Sequence, residues 1–322
     1  MPVRALLSPA SLKGVLTAPA AAAALARGVR AAGAEAVELP VADGGESTAE
    51  VLHRALGGTW RQAEVADPLG RPVSARWLVL PDGRAVVEAA AAIGLPLLGP
   101  DELDPLRASS RGLGELLLAA LAEQPAGIMV ALGGTATVDG GAGLREVVHR
   151  LAVPSVALTD VRTLLRDAAR VYGPQKGASQ DDVRVLEVRL MAMAELRPFA
   201  SAPGSGGAGG LGAALAALGA DLVPGAPAVL DHLGFDSRLA GSDLVVTGEG
   251  TVDATTVAGK APGEVARRAL EAGVGCVVFG GRVVEPVPGV ETVALTGDPA
   301  RAEPDLEALG RELSQAASRP GR

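Results

Sequence analysis

The chain has 322 residues, of which 48% are hydrophobic and only 2% aromatic, and its formal net charge at pH 7 is −8. This length allows a large core and two domains, and the scarcity of aromatic residues means that Ala, Val and Leu must fill that core. The acidic charge, with no run of basic residues, argues against a nucleic-acid partner. No segment offers about 18 uninterrupted apolar residues, so no membrane partner is expected.

The chain contains a single cysteine, Cys276, which lies in an apolar run. One cysteine excludes a disulfide framework and a thiolate metal cluster. The first residues, MPVRALLSPASLKG, contain too short an apolar stretch for a signal peptide. A cytoplasmic protein is therefore expected.

The first part of the chain alternates short apolar runs with helical patterns. Between them, DGGEST at 43–48 places Asp43 and Glu46 beside a Gly-Gly turn. Asp43 or Ser47 is a candidate cap for the helix that follows, and two carboxylates beside such a turn equally suit Mg²⁺ or a hydroxyl group. The predicted elements are a strand at 3–7, a helix at 18–32, a strand at 36–41 and a helix at 48–56.

From residue 57 to about residue 98 the pattern changes. VSARWLVL at 73–80 and RAVVEAA at 84–90 flank Pro-Asp-Gly, which predicts an antiparallel hairpin and an inserted second domain. The predicted class is α/β, with a Rossmann-like parallel-sheet domain and an inserted mixed α/β domain. The predicted ranges are 1–56, 108–160 and 238–322 for the first domain, and 57–107 and 161–237 for the inserted one.

A glycine-rich loop, ALGGTATVDGGAG at 131–143, follows the apolar run 127–130. Its glycines let backbone N–H groups approach an anionic ligand, although a tight strand-to-helix turn explains one such loop equally well. The pattern recurs where 244–246 runs into TGEG and 276–279 runs into Gly-Gly. This recurrence predicts parallel strands of an open sheet that line a crevice at their carboxyl ends.

Lysine is rare in this chain. Only three of the 29 basic residues are lysines, namely Lys13, Lys176 and Lys260, and each has a glycine beside it. A compact ammonium next to exposed backbone suits a phosphate or a transferred phosphoryl group. Chance survival of these three lysines is the alternative.

A second glycine-rich run, PGSGGAGGLG at 203–212, contains G-x-G-x-x-G twice. The preceding residues, ELRPFASA, do not predict a strand, so a dinucleotide fingerprint is poorly supported. An NAD-linked oxidoreductase is therefore the weakest functional alternative. A predicted helix at 211–218 still allows N–H groups to face a ligand.

Seven segments, in order and spanning nearly the whole chain, resemble the type I glycerate kinase (glycerate 2-kinase) family. The resemblance implies Mg²⁺-assisted transfer of a phosphoryl group from ATP to D-glycerate, giving 2-phosphoglycerate, with the active site in the cleft between two α/β domains. Glycerate and ATP are then the small-molecule partners, and a homodimer is left open. The segments are SLKGVLTA (11–18), PVADGGEST (40–48), DPLRASSRGLGEL (104–116), GGTATVDGGAG (133–143), YGPQKGA (172–178), PGSGGAGGLGAAL (203–215) and TGEGTVDATTVAGKAP (247–262).

The resemblance and the loop chemistry together assign roles within these segments. The lysines are expected to meet phosphate oxygens, and the loop carboxylates to bind Mg²⁺ or orient the acceptor hydroxyl. The expected residues are Lys13, Asp43, Asp160 and Lys176 for catalysis; Gly133, Gly134, Thr135, Gly207, Gly209 and Lys260 for the nucleotide; Ser11, Glu46 and Arg111 for the substrate; and Glu249 and Asp253 for the metal.

Several positions depart from the family pattern. Ala10 stands where the family has Asp, Val138 where it has Asn, and Thr251 where Arg is common, and the run at 160–165 is reduced. If these positions face the site, polar groups have been lost from it. Two alternatives therefore stay open: a non-catalytic or regulatory homologue that binds nucleotide or a small hydroxy acid, and a kinase with a different hydroxy-acid acceptor.

Overall fold

The structure, a computed structural model, describes residues 2–317. The chain forms two compact units. Unit 1 contains the chain up to Asp43 and from Ala226 onwards, and unit 2 is the continuous segment Gly44–Gly225. Unit 2 is therefore an insertion in the sequence of unit 1. Within the described residues, no helix combines the length and the apolar character needed to span a bilayer.

Strands and helices alternate along most of the chain. The strands are β1 (Arg4–Leu7), β2 (Glu35–Glu38), β3 (Thr59–Ala66), β4 (Pro72–Val79), β5 (Arg84–Glu88), β6 (Gly127–Ala131), β7 (Ser155–Thr159), β8 (Asp221–Pro224), β9 (Leu244–Val252), β10 (Gly275–Val283) and β11 (Glu291–Ala294). The α-helices are α1 (Ala18–Ala31), α2 (Thr48–Leu56), α3 (Ala89–Ile93), α4 (Arg111–Ala122), α5 (Ala142–Val147), α6 (Ala168–Tyr172), α7 (Gln180–Ala192), α8 (Gly207–Ala217), α9 (Gly225–His232), α10 (Phe235–Leu239), α11 (Ala254–Val257), α12 (Ala261–Ala272) and α13 (Ala302–Ala317).

Unit 1 is built on a five-stranded sheet in the order β11-β10-β9-β1-β2, in which all neighbouring strands are parallel. Parallel strands are usually covered on both faces, which fits the buried apolar residues of β1, β9 and β10. Helices α1 and α13 add small apolar residues to the same core. Helix α1 begins where it does because Thr17 Oγ1 accepts the N–H of Ala20 at 3.3 Å.

Unit 2 contains a six-stranded mixed sheet in the order β3-β4-β5-β6-β7-β8. The pairs β3–β4 and β4–β5 are antiparallel, whereas the pairs β5–β6, β6–β7 and β7–β8 are parallel. The predicted hairpin is confirmed, since β4 and β5 pair across the Asp82-Gly83 turn. Strand β6 is buried along its whole length. The loop after β6 therefore starts from the rigid centre of this unit.

The predicted α/β class, with one parallel-sheet domain and one inserted mixed domain, is confirmed. The observed division differs from the predicted domain ranges, because residues 44–56 and 108–160 lie in unit 2 and residues 226–237 lie in unit 1. For 108–160 the reason is strand pairing: β6 lies between β5 and β7, and β7 lies between β6 and β8. The location of the active site stays a prediction.

The three strands that end in glycines do not share one sheet. Strand β6 belongs to the sheet of unit 2, whereas β9 and β10 belong to the sheet of unit 1. The prediction that all three belong to one open parallel sheet is therefore wrong, although β9 and β10 are parallel neighbours. The crevice itself stays a prediction. An apolar run followed by glycine identifies a buried strand, but long-range pairing decides which sheet that strand joins.

Candidate active site

Asp139 fixes the glycine-rich loop between β6 and α5. Its Oδ2 accepts hydrogen bonds from the N–H (2.9 Å) and the hydroxyl (2.7 Å) of Ser110 and from the N–H of Gly143 (3.1 Å), while its Oδ1 accepts the N–H of Gly141 at 3.0 Å. Ser110 Oγ in turn accepts the N–H of Leu144 at 2.9 Å. Four donors occupy this carboxylate, so Asp139 holds the loop in shape.

The DGGEST turn lies directly against the start of this loop. The N–H of Leu132 donates to the carbonyl of Gly44 at 2.9 Å. A Cβ at Gly133 would lie 2.6 Å from the Cα of Gly45, and one at Gly134, where φ is +76°, would lie 2.0 Å from Glu46 Oε1. Close packing of two loops therefore requires both glycines. Their predicted contact with nucleotide phosphates stays a prediction.

The 203–212 run packs against the other end of the same loop. Gly209 has φ +70°, and the N–H of Gly140 donates to its carbonyl at 3.1 Å. A Cβ at Gly207 would lie 3.2 Å from Thr159 Oγ1. Residues 194–199 form a 3₁₀ helix, so the strand that a dinucleotide fingerprint needs is not found before these glycines. Loop packing accounts for both glycines, and their nucleotide contacts stay predictions.

Replacing Gly209 by Ala is expected to destabilise the protein by about 3 kcal/mol or more. The added Cβ would lie 2.3 Å from the carbonyl oxygen of Thr137 and 2.6 Å from the Cα of Val138. Gly70→Ala is the matched control, because Gly70 has φ +86° with no atom within 4 Å of an added Cβ. That control should lose only the backbone cost of about 1 kcal/mol in urea unfolding. Equal losses in the two variants would contradict the packing role.

Lys176 and Thr135, two of the predicted site residues, are brought together. Lys176 is only 3% exposed, and its Nζ donates to the carbonyl of Thr137 at 2.8 Å and to Thr135 Oγ1 at 3.1 Å. Both of these acceptors are uncharged oxygens. Burial lowers the pKa of Lys176 to about 7, and the charge of Asp139 only partly opposes this effect. An anion would stabilise the charged lysine.

Thr137 carries a further polar group at this position. Its side chain is fully buried, and its Oγ1 has no hydrogen-bond partner among the described residues. A buried hydroxyl without a partner costs free energy. Together with the lysine, it provides a polar group that a ligand or a water molecule can satisfy. Thr137 belongs to the glycine-rich loop at 131–143, but it is not among the residues predicted for the site.

Tyr172 lies near Lys176, and Asp160 lies near Tyr172. Lys176 Nζ is 5.8 Å from the centroid of the Tyr172 ring, within range of a cation–π interaction. The hydroxyl of Tyr172 shares a hydrogen bond of 2.9 Å with Thr163 Oγ1. Burial raises the pKa of Tyr172, and the negative charge of Asp160 adds to that effect. Asp160 directly follows β7, so its carboxylate contributes to the field around this phenol.

Arg111, predicted to bind substrate, is engaged elsewhere. It begins helix α4, and its guanidinium forms ion pairs with Glu115 at 2.9 Å and with Glu146 at 3.3 Å. The side chain is about half exposed. Such exposed pairs contribute little free energy and are easily exchanged. A role in substrate binding stays a prediction for this residue.

In unit 1, strand β9 carries a paired carboxylate. Glu249 accepts hydrogen bonds from Lys260 Nζ at 3.1 Å and from Thr256 Oγ1 at 2.7 Å. Asp253 caps helix α11 by accepting the N–H of Thr255 at 2.8 Å. The hydroxyl and then the N–H of Thr255, with a smaller contribution from Lys260, lower the pKa of Asp253. No group of three or more His, Cys, Asp or Glu side chains that could hold a metal ion occurs among residues 2–317.

Lys13 is exposed at the tip of a tight turn in which Leu12 and Leu16 pair. Its backbone N–H lies beside β9, since a Cβ at Gly250 would be 3.5 Å from Lys13 N. Ser11 precedes it and is half-buried, and Asp43, also half-buried, ends the first segment of unit 1. Ser11 and Lys13 thus lie on the loop that follows β1, and Lys260 lies between α11 and α12.

The departures from the family pattern differ in their surroundings. Val138 is 1% exposed and belongs to the hydrophobic core of unit 2. Ala10 is half-buried, and its N–H donates to the carbonyl of Gly248 at 2.9 Å, while Thr251 is exposed. The side chain at position 138 therefore points into the core of unit 2 and does not face solvent.

Two α/β units, one on a parallel sheet and one on a mixed sheet, with lysines beside glycine-rich loops are typical of proteins that handle phosphorylated ligands. A model of the glycerate kinase family matches residues 5–148 and 146–315. Glycerate 2-kinase of Escherichia coli K12 is 36% identical over 305 residues, covering 81% of this chain and 80% of that protein. Glycerate kinase of Bacillus subtilis 168 is 37% identical over 326 residues, covering 87% and 85%.

A solved structure agrees with these relatives. A crystal structure from Salmonella typhimurium LT2, which carries the provisional description glycerate kinase 2, is 31% identical and superposes with a TM-score of 0.83, covering 98% of each chain. The chain belongs to the glycerate kinase family.

Proposed function

We propose that the protein is an ATP-dependent, Mg²⁺-assisted kinase that converts D-glycerate to 2-phosphoglycerate. The observation that carries this proposal is Lys176, a buried ammonium that donates to uncharged oxygens of the glycine-rich loop in a member of the glycerate kinase family. Phosphoryl transfer needs neutralisation of charge and positioning of the reactants, with little covalent chemistry from the protein. A cation held in a fixed place serves both needs.

In unit 2, Lys176, Thr135 and the hydroxyl of Thr137 are proposed to meet phosphate oxygens. The pKa of Lys176 is about 7, so this buried lysine is partly neutral near pH 7. An arriving phosphate favours the charged form, because an opposite charge raises the pKa of an amine. Ligand binding should therefore be accompanied by proton uptake. Glu46 is proposed to accept hydrogen bonds from the hydroxyl groups of glycerate.

In unit 1, exposed Lys13 and partly exposed Lys260 are proposed to meet further phosphate or carboxylate oxygens. The C2 hydroxyl of glycerate attacks the terminal phosphorus of ATP, and the bond from that phosphorus to the bridging oxygen breaks, releasing ADP. The hydroxyl proton passes to a carboxylate, for which Asp43 and Asp160 are the candidates. Which of the two accepts the proton is decided by mutating each in turn.

The carboxylates present fit a magnesium ion that arrives with the nucleotide. Mg²⁺ is commonly bound by one or two carboxylates together with substrate phosphates and water. Glu249 is already neutralised by Lys260, whereas Asp253 is half-buried and keeps its charge through a lowered pKa. Asp253 is therefore the better candidate ligand. When bound, the ion would neutralise charge on the phosphate oxygens.

The proposal is tested by coupling ADP release to a spectrophotometric signal, with ATP, Mg²⁺ and D-glycerate omitted one at a time. Turnover is expected only when all three are present. ATP binding without turnover, measured by calorimetry, would favour the non-catalytic homologue. Turnover with another hydroxy acid but not with D-glycerate would favour the changed acceptor.

A further inference from the structure

Glu88 is a carboxylate that the proposed reaction has not used. It is the last residue of β5, in the parallel ladder opposite Ala131, the last residue of β6. It is partly buried, and its Oε1 accepts the N–H of Ala49 at 2.8 Å. The N–H of Ser47 also donates to this carboxylate. Glu88 therefore holds the DGGEST turn through two backbone donors.

These two donors belong to the start of helix α2, which lacks a cap of its own. Ser47 occupies the N-cap position but makes no side-chain cap hydrogen bond. Its backbone is left-handed, with φ 68° and ψ 6°, a conformation that costs a non-glycine residue about 1 kcal/mol or more. Glu88, reaching from another strand, supplies the acceptor that the cap residue does not.

The turn that Glu88 holds presents Glu46 to the glycine-rich loop. Glu46 is exposed, and its Oε1 lies against Gly134, as the 2.0 Å approach of an added Cβ shows. Burial raises the pKa of Glu88; the two backbone donors and the charge of Arg76 oppose this, and Glu46 adds to it. Glu88 and Glu46 thus both lie at one short turn, and Glu46 is the more exposed of the two.

We propose that Glu88 is a positioning residue for acceptor recognition. By fixing the left-handed turn at Ser47, it directs Glu46 toward Gly134 and so sets the affinity for a hydroxyl-bearing carboxylate substrate. This inference rests on the proposed function and on the role of Glu46 in it. It assigns Glu88 no contact with the substrate or with the transferred phosphoryl group.

The test is Glu88→Gln, which preserves shape but removes the negative charge and leaves one amide oxygen as acceptor where the carboxylate offered two. The expected result is a rise in KM for D-glycerate of roughly tenfold, with KM for ATP unchanged. Glu50→Gln is the control, because Glu50 is exposed in the first turn of the same helix. Equal changes in both KM values, or a loss of stability without any change in KM, would overturn the proposal.

A second variant tests whether Glu88 acts by holding the left-handed conformation at Ser47. Glycine adopts the left-handed conformation without cost, so adding Ser47→Gly to Glu88→Gln should recover part of the lost glycerate affinity. Ser47→Gly alone should resemble the wild type, since Ser47 makes no cap bond. Absence of recovery in the double variant would overturn the proposal.

A third readout does not depend on turnover. Amide hydrogen exchange at Ser47 and Ala49 should be faster in Glu88→Gln than in the wild type. Unchanged exchange would overturn the role of Glu88 whether or not the protein phosphorylates glycerate. If exchange is faster in the variant but the protein does not phosphorylate glycerate, the proposed function is wrong, and the hydrogen bonds of Glu88 to the turn are still supported.

Discussion

Replacing Lys176 by Met is expected to lower kcat/KM for glycerate phosphorylation by roughly a thousandfold. The ammonium is buried against Thr135 and Thr137, so no other cation can take its place there. Met has a similar length and no charge, which removes the cation while keeping the packing. Steady-state kinetics with ADP detection measures the loss. Turnover within a few-fold of the wild type would remove Lys176 from the catalytic set.

The pH dependence of the free energy of unfolding provides the control for Lys176→Met. The folded protein lowers the pKa of Lys176 from 10.5 to about 7, so between these values the unfolded chain binds a proton that the folded chain lacks. The contribution of Lys176 to the free energy of unfolding therefore rises with pH in this window, by about 1.4 kcal/mol for each pH unit. The difference between wild type and Lys176→Met in urea unfolding should show this slope. Parallel curves would contradict the assigned pKa.

Replacing Lys13 by Ala is expected to lower kcat by roughly a hundredfold or more and to leave stability unchanged. Lys13 is exposed, and its side chain contributes nothing to the core of unit 1. An effect on turnover without an effect on unfolding would therefore reflect contact with the reactants. The measurement combines initial rates at saturating ATP and glycerate with a thermal melt.

Lys13→Arg is the matched control for this second variant. It keeps the positive charge but replaces a compact ammonium with a planar guanidinium, so activity should be intermediate. Full activity in Lys13→Ala would show that the exposed turn at 12–16 does not reach the reactants. An unfolded Lys13→Ala protein would contradict the exposure of this side chain.

Local pattern was sufficient for much of the secondary structure. Helix α2 spans the predicted range 48–56, and the β4–β5 hairpin lies around its predicted turn. Apolar periodicity and turn residues act over a few positions, so one sequence suffices to recognise them. Strand β3 at Thr59–Ala66 was missed, because TWRQAEVA has a single buried residue, Val65, and lacks a regular alternation of apolar and polar residues.

The same local pattern did not predict which sheet each strand joins. Strand β6 was placed with the first domain because it resembles β9 and β10 in composition, yet it pairs with β5 and β7. Pairing between strands distant in sequence depends on tertiary packing that a single sequence does not display. The site shows the same contrast. Lysine beside glycine pointed to Lys176, whereas nothing in RAVVEAA marked Glu88 as a cap for α2.

The central claim is the transfer of a phosphoryl group to the C2 hydroxyl of D-glycerate, and phosphorus NMR of the product tests it most directly. A phosphate on C2 is coupled to one carbon-bound proton, whereas a phosphate on C3 is coupled to two, so the splitting identifies the position. The expected spectrum, after incubation with ATP and Mg²⁺, shows ADP and a doublet from 2-phosphoglycerate. A triplet from the 3-phosphate, or ATP left intact, would contradict the proposed reaction.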